Sequence, residues 1–118
     1  MKNYLKTIVE EMKDEDGGFE IYSLIYSLHL SEVPMLECED GPPDEDELLD
    51  FENNEITELK DNSIIFCAGG DWQKPVYFEA VWIPGDRSFK CTNVRYLKEN
   101  EDYPEGVSDE EFLKWLYE

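Results

Sequence analysis

Three apolar runs separated by two turn signals constrain this chain more than any other feature. Ser63 to Ala68 (SIIFCA), Val76 to Ile83 (VYFEAVWI) and Ser88 to Tyr96 (SFKCTNVRY) are rich in the β-branched and aromatic residues that suit a pleated, half-buried surface. Gly69-Gly70-Asp71 divides the first pair and Pro84-Gly85-Asp86-Arg87 the second, both loop and hairpin signals. The pattern predicts a three-stranded antiparallel meander over about residues 62–96, with its second turn at Pro84–Arg87.

Helical periodicity flanks this block. Tyr4, Leu5, Ile8, Val9 and Met12 make one apolar stripe, so a helix is expected over about residues 3–14, stopped by Gly17-Gly18. At the other end Ser108 stands three residues before Glu111, the spacing of a capping box. Phe112, Trp115 and Leu116 then give a terminal helix its inward stripe. Phe19 to Leu30 is apolar on both faces of an extended chain and reads as a central strand at about 19–30, with a buried helix as the alternative. Gly41-Pro42-Pro43 breaks any element in the middle. Asp44 to Phe51 suggests a short helix whose inward face is Leu48, Leu49 and Phe51; Glu55 to Leu59 fits a further turn or a short edge strand. Helices before and after a sheet, without βαβ alternation, define an α+β class. A length of 118 residues fits one domain, 1–118, in which folding hides roughly 65% of the surface of the open chain.

Composition excludes several functions. The formal net charge is -20 and the sequence pI about 4.1, which rules out attraction to nucleic acid or to anionic lipid. The longest apolar run, FEIYSLIYSLHL, has about 12 residues, short of the roughly 18 of a membrane span. The N-terminus lacks the apolar core of a signal peptide. Cys38, Cys67 and Cys91 are an odd set without CxxC spacing, which points to a reducing cytosol, that of its own cell or of a host. Cys67 and Cys91 lie in strand runs as small hydrophobes, whereas Cys38, in the acidic loop, is the thiol expected to react first.

A catalytic constellation is not legible. His29 is the only histidine and has no acid or nucleophile beside it in sequence. The cysteines and His29 lack the paired short spacings of a zinc site. Asp44, Asp46 and Glu55 match positions one, three and twelve of a calcium loop, but Leu48 and Leu49 occupy positions that need an oxygen ligand and a glycine. Gly69-Gly70 leads into a strand and not into a helix N-terminus, so it is a turn and not a phosphate cradle. With 30 acids some carboxylate pair always falls at a glycosidase separation, so no such pair carries weight. No enzyme activity, metal or cofactor is therefore expected.

The distribution of charge is the unusual feature. Residues 1–31 carry a net -3, 32–61 a net -12, 62–98 a net +2 and 99–118 a net -7. Asp44, Glu45, Asp46, Glu47, Asp50, Glu52 and Glu55, on a helix, would place one carboxylate per ~2.6 Å of axis. Duplex DNA carries one charge per about 1.7 Å. The expected function is a non-enzymatic, stoichiometric inhibitor whose acidic segments, 37–58 and 99–111, fill the basic groove of a nucleic-acid-binding protein. By charge and size alone the chain is similar to phage-type DNA mimics and to the acidic immunity proteins that neutralise nucleases. Phe51, Trp72 or Tyr103 would anchor the contact beside Glu101 and Asp102. The competing reading is an accessory domain whose acids only solvate it.

Overall fold

The computed structural model describes residues 1–31, 53–69, 75–98 and 100–118. Five strands form one sheet in the order β1-β5-β4-β3-β2: β1 Leu30–Ser31, β2 Asn54–Leu59, β3 Ser63–Ala68, β4 Val76–Ile83 and β5 Ser88–Tyr96. All neighbours are antiparallel except β1, which lies parallel to β5 through Leu30↔Phe89 and Ser31↔Lys90. Helix α1 spans Lys2–Met12, a 3-10 turn Ile21–Ser23 leads into one turn of helix α2 at Leu24–Ser27, and α3 spans Asp109–Tyr117. The α+β class and the β3-β4-β5 order thus follow the expectation, and Glu55 to Leu59 takes the strand alternative, as an edge.

The strand expected over residues 19–30 is corrected. Only Leu30 and Ser31 pair, and most of the run is helical. Leu24, Ile25 and Leu28 fall at i, i+1 and i+4 and are buried, while Tyr22 and Tyr26, also four apart, are 54% and 60% exposed. The run therefore has a helical stripe, and the tyrosines that looked like a second buried face point to solvent.

Alternation divides the sheet into two faces. Ile56, Ile64, Phe66, Ala68, Val76, Phe78, Ala80, Phe89 and Cys91 are buried on the face that meets Leu5, Ile8 and Val9 of α1, Leu24, Ile25 and Leu28, and Phe112 and Leu116 of α3. Phe66 and Phe78 stack across β3 and β4 at 5.4 Å between centroids. The helices are also tied to one another. Lys2 Nζ donates to the Trp115 carbonyl at 2.8 Å, a cation at the negative end of α3, and the Ile21 N–H donates to Asp109 Oδ1 at 3.2 Å. Ser108 caps α3, its hydroxyl accepting the Glu111 N–H at 3.1 Å. The Glu111 carboxylate meets the Ser108 hydroxyl at 3.3 Å.

The β4–β5 turn lies at Pro84–Arg87, where the residue with positive φ is Arg87 (φ 49) and not Gly85. A second irregularity matters more for the surface. Tyr77 faces Arg95 and Glu79 faces Thr92, so β5 carries one residue more than β4 between these pairs. Asn93 absorbs the bulge at φ 52, a conformation that asparagine tolerates better than most residues. Without that extra residue, Arg95 would share the inward parity of Phe89 and Cys91; with it, Arg95 lies beside Tyr77 on the opposite face.

Candidate functional site

Away from the helices, the sheet presents rows of side chains that local pairing brings together. Glu55 pairs with Cys67, Cys67 with Tyr77 and Tyr77 with Arg95, one row across four strands. Segment 101–107 crosses this row as a strap. At one end Glu101 Oε1 lies 3.2 Å from Arg95 Nη1 and also accepts the Lys98 N–H at 3.2 Å. In the middle the Tyr103 hydroxyl donates to the Cys67 carbonyl at 3.2 Å. At the far end the Val107 N–H donates to the Ile56 carbonyl at 2.7 Å, which covers part of the exposed edge of β2. Gly106 permits this approach: a Cβ there would overlap the Glu55 carboxylate and stand 3.0 Å from the Ile56 carbonyl oxygen.

The electrostatics follow from the pairing. The Arg95 guanidinium, 4.0 Å from the Tyr77 ring centroid, hydrogen-bonds Glu101 and holds its carboxyl below the usual range. Burial pushes the Cys67 thiol up to about 11 and the Tyr103 hydroxyl up to about 12. Both groups are held in their neutral form at physiological pH, so Cys67 is a poor nucleophile. One row further along, Glu79 accepts from Ser63 Oγ at 2.6 Å, Asn93 Nδ2 at 2.7 Å and Lys60 Nζ at 3.4 Å, and these donors hold its carboxyl low. Such a satisfied carboxylate is structural rather than reactive.

At the end of the sheet where β2 begins and β3 ends, a cavity of about 500 Å³ opens between Tyr22, Asn54, Glu55, Gly69, Pro75 and Tyr103. Asn54 is 7% exposed and donates from Nδ2 to the Tyr22 carbonyl at 2.9 Å, which seats the 3-10 turn against β2. The Tyr22 hydroxyl donates to Glu20 Oε2 at 2.8 Å. Both tyrosine hydroxyls are thus engaged, and Tyr22 and Tyr103 are both part of the cavity lining.

Of the residues singled out from sequence, Glu55, Glu101, Asp102 and Tyr103 lie on the row or on its strap, so the structure joins the C-terminal part of segment 37–58 to segment 99–111. Asp44, Glu45, Asp46, Glu47, Asp50, Phe51, Glu52, Trp72 and Cys38 lie outside the described residues. The sequence reading did not single out Tyr22, Asn54 or Arg95. The signals available were the i,i+4 pair Tyr22/Tyr26 and an asparagine in mid-strand at Asn93, the mark of a bulge that redirects Arg95. His29 is exposed and takes part through its backbone, its carbonyl accepting the Phe89 N–H at 2.7 Å. Among the described residues, no group of three His, Cys, Asp or Glu side chains is placed to hold a metal ion, and no helix is long and apolar enough to cross a membrane. Comparison with models of protein families, with curated proteins and with solved structures finds no match to this chain.

Proposed function

We propose that this protein is a non-enzymatic, acidic binding protein that occupies the basic, nucleic-acid-binding groove of a partner, as a DNA mimic or a nuclease immunity protein would. The observation that carries the reading is the junction of the two acidic segments. The strap bearing Glu101, Asp102 and Glu105 is hydrogen-bonded and packed onto β2 at Glu55 and Ile56, the strand that follows the most acidic stretch of the chain. Glu55 of the first segment and Glu101, Asp102 and Glu105 of the second thus share one end of the sheet, and a concentrated field of one sign accelerates encounter with a surface of the other. Tyr103, 39% exposed at that end, is the kind of rigid aromatic that anchors interfaces.

The test is capture of binding proteins from a lysate of the source cell or its host on the immobilised protein, with elution by rising salt. The reading predicts a basic nucleic-acid-binding protein that added DNA or RNA displaces. A retained protein whose binding neither salt nor nucleic acid weakens would overturn it, as would the absence of any salt-sensitive partner; the acids would then solvate the surface and do nothing more.

A further inference from the structure

The cavity at the end of the sheet has a specific chemical preference. The Glu55 carboxylate on its wall lies against Gly106, and among the described residues none donates a hydrogen bond to it. By contrast, Glu79 and Glu101 on the same face are each satisfied by two or more donors. A half-buried acceptor with no donor favours a ligand that supplies one. The lining also includes Tyr22 and Tyr103, whose hydroxyls are held by Glu20 and by the Cys67 carbonyl. A tyrosine face attracts a cation, most effectively a planar guanidinium that stacks while its N–H groups reach a carboxylate. The same chain already uses this pairing once, where Arg95 stacks on Tyr77 and hydrogen-bonds Glu101.

We infer that the cavity lined by Tyr22, Asn54, Glu55 and Tyr103 receives an arginine side chain of the basic partner, its guanidinium stacked on a tyrosine ring and hydrogen-bonded to Glu55. The inference rests on the proposed function and names the residue by which the partner is gripped. The acidic field brings the partner in; the cavity determines how long it stays. A neutral groove-binding segment finds nothing to pair with Glu55, and a lysine fills the charge requirement without the planar contact.

The test needs no partner. The full-length protein, labelled with ¹⁵N, is titrated at low salt with a capped Gly-Arg-Gly peptide and, in parallel, with its citrulline and lysine counterparts. The arginine peptide shifts the amide signals of Asn53, Asn54, Glu55, Gly69 and Tyr103 in a saturable way; the lysine peptide does so more weakly and the citrulline peptide not at all. Glu55→Gln, which keeps the side-chain shape, weakens the arginine titration about tenfold, the scale of one charge-assisted hydrogen bond. Glu11→Gln, on the exposed face of α1 and outside both acidic segments, leaves it unchanged. Unaltered dispersion of the spectrum shows that each variant is folded. The inference is overturned if citrulline and arginine peptides titrate alike, if the shifts spread over every acidic surface, or if Glu55→Gln binds as well as the parent. Such a failure is distinguishable from failure of the proposed function, because salt-sensitive capture and displacement by nucleic acid read the acidic segments as a whole and occur whether or not an arginine enters this cavity.

Discussion

The two faces of the sheet are built from the same strands and serve different ends. Toward the helices, every second residue of β3 and β4 is apolar and dry: Ile64, Phe66 and Ala68, then Val76, Phe78 and Ala80, all 0% exposed. On the other side, the alternate residues are Ile65 and Cys67, then Tyr77, Glu79 and Val81, and among the described residues no helix packs on them. Instead, a seven-residue strap crosses one row, and hydrogen-bonded carboxylates occupy the next. The difference shows where the fold obtains its stability and where it keeps its chemistry. Close packing against three helices supplies the first; on the second face Glu79 and Glu101 are held by neighbouring donors, whereas among the described residues none donates to Glu55.

The largest expected effect separates adjacent residues of one strand. Phe78→Ala should cost about 3–5 kcal/mol, the usual cost of emptying a buried aromatic site. Tyr77→Ala, one residue away on the other face, should cost about 1 kcal/mol, mostly the lost Arg95 stacking and partial burial. Urea denaturation of both variants decides the matter, and equal losses would break the distinction between the faces. Next in size is Gly106→Ala. The added methyl forces the strap away from the Ile56 carbonyl and should cost about 1–2 kcal/mol, in the range of other overpacking changes. It should also speed alkylation of Cys67, whose carbonyl the Tyr103 hydroxyl holds, while leaving Cys91 on the helix side unaffected. Ser108→Ala removes the cap of α3 and should cost about 1 kcal/mol.

How far the sequence discloses this arrangement depends on the range over which each feature is determined. The β4–β5 hairpin and the Ser108 cap are local: Pro84-Gly85 and Ser108…Glu111 carry their own stereochemistry, and they are found where the pattern puts them. Residues 19–30 are ambiguous because Leu24, Ile25 and Leu28 satisfy a helical stripe while the same run is apolar at both strand parities. Neighbouring Gly17, at φ 81, does not decide between them. The site is illegible for a different reason. Glu55, Tyr22 and Tyr103 meet only because segment 101–107 returns across the sheet to Ile56, and that contact joins residues 51 positions apart with no local mark. The outward turn of Arg95 depends likewise on a bulge signalled only by Asn93.

The smallest effects are those of pH, and they have opposite signs on the two sides of neutrality. Glu79 and Glu101 are held low by their donors, so the stability they contribute is present above the ordinary carboxylate value of 4.5 and is lost as pH falls through their lowered folded values. Cys67 and Tyr103 are pushed up by burial. Their contribution is fully present below the ordinary values of 9.0 and 10.0 and is lost as pH rises toward about 11 and about 12. Tyr103→Phe should therefore make the alkaline decline in stability shallower between pH 10.0 and about 12, as read from thermal midpoints, and leave the acid limb alone.

The central claim is that the charge of the two acidic segments, 37–58 and 99–111, and not charge in general, serves binding. It is tested most directly by the association rate of the captured partner with charge-neutralised variants across a range of salt. One variant replaces Asp44, Glu45, Asp46 and Glu47 by Asn and Gln, a second neutralises Glu55, Asp102 and Glu105, and a control neutralises Glu11, Glu15 and Asp16 on and just after α1. The account predicts that the first two lose most of the salt-sensitive on-rate, while the control, which removes as many charges as the second, keeps nearly all of it. Equal slowing by the second variant and the control, or no slowing by any of the three, would contradict it.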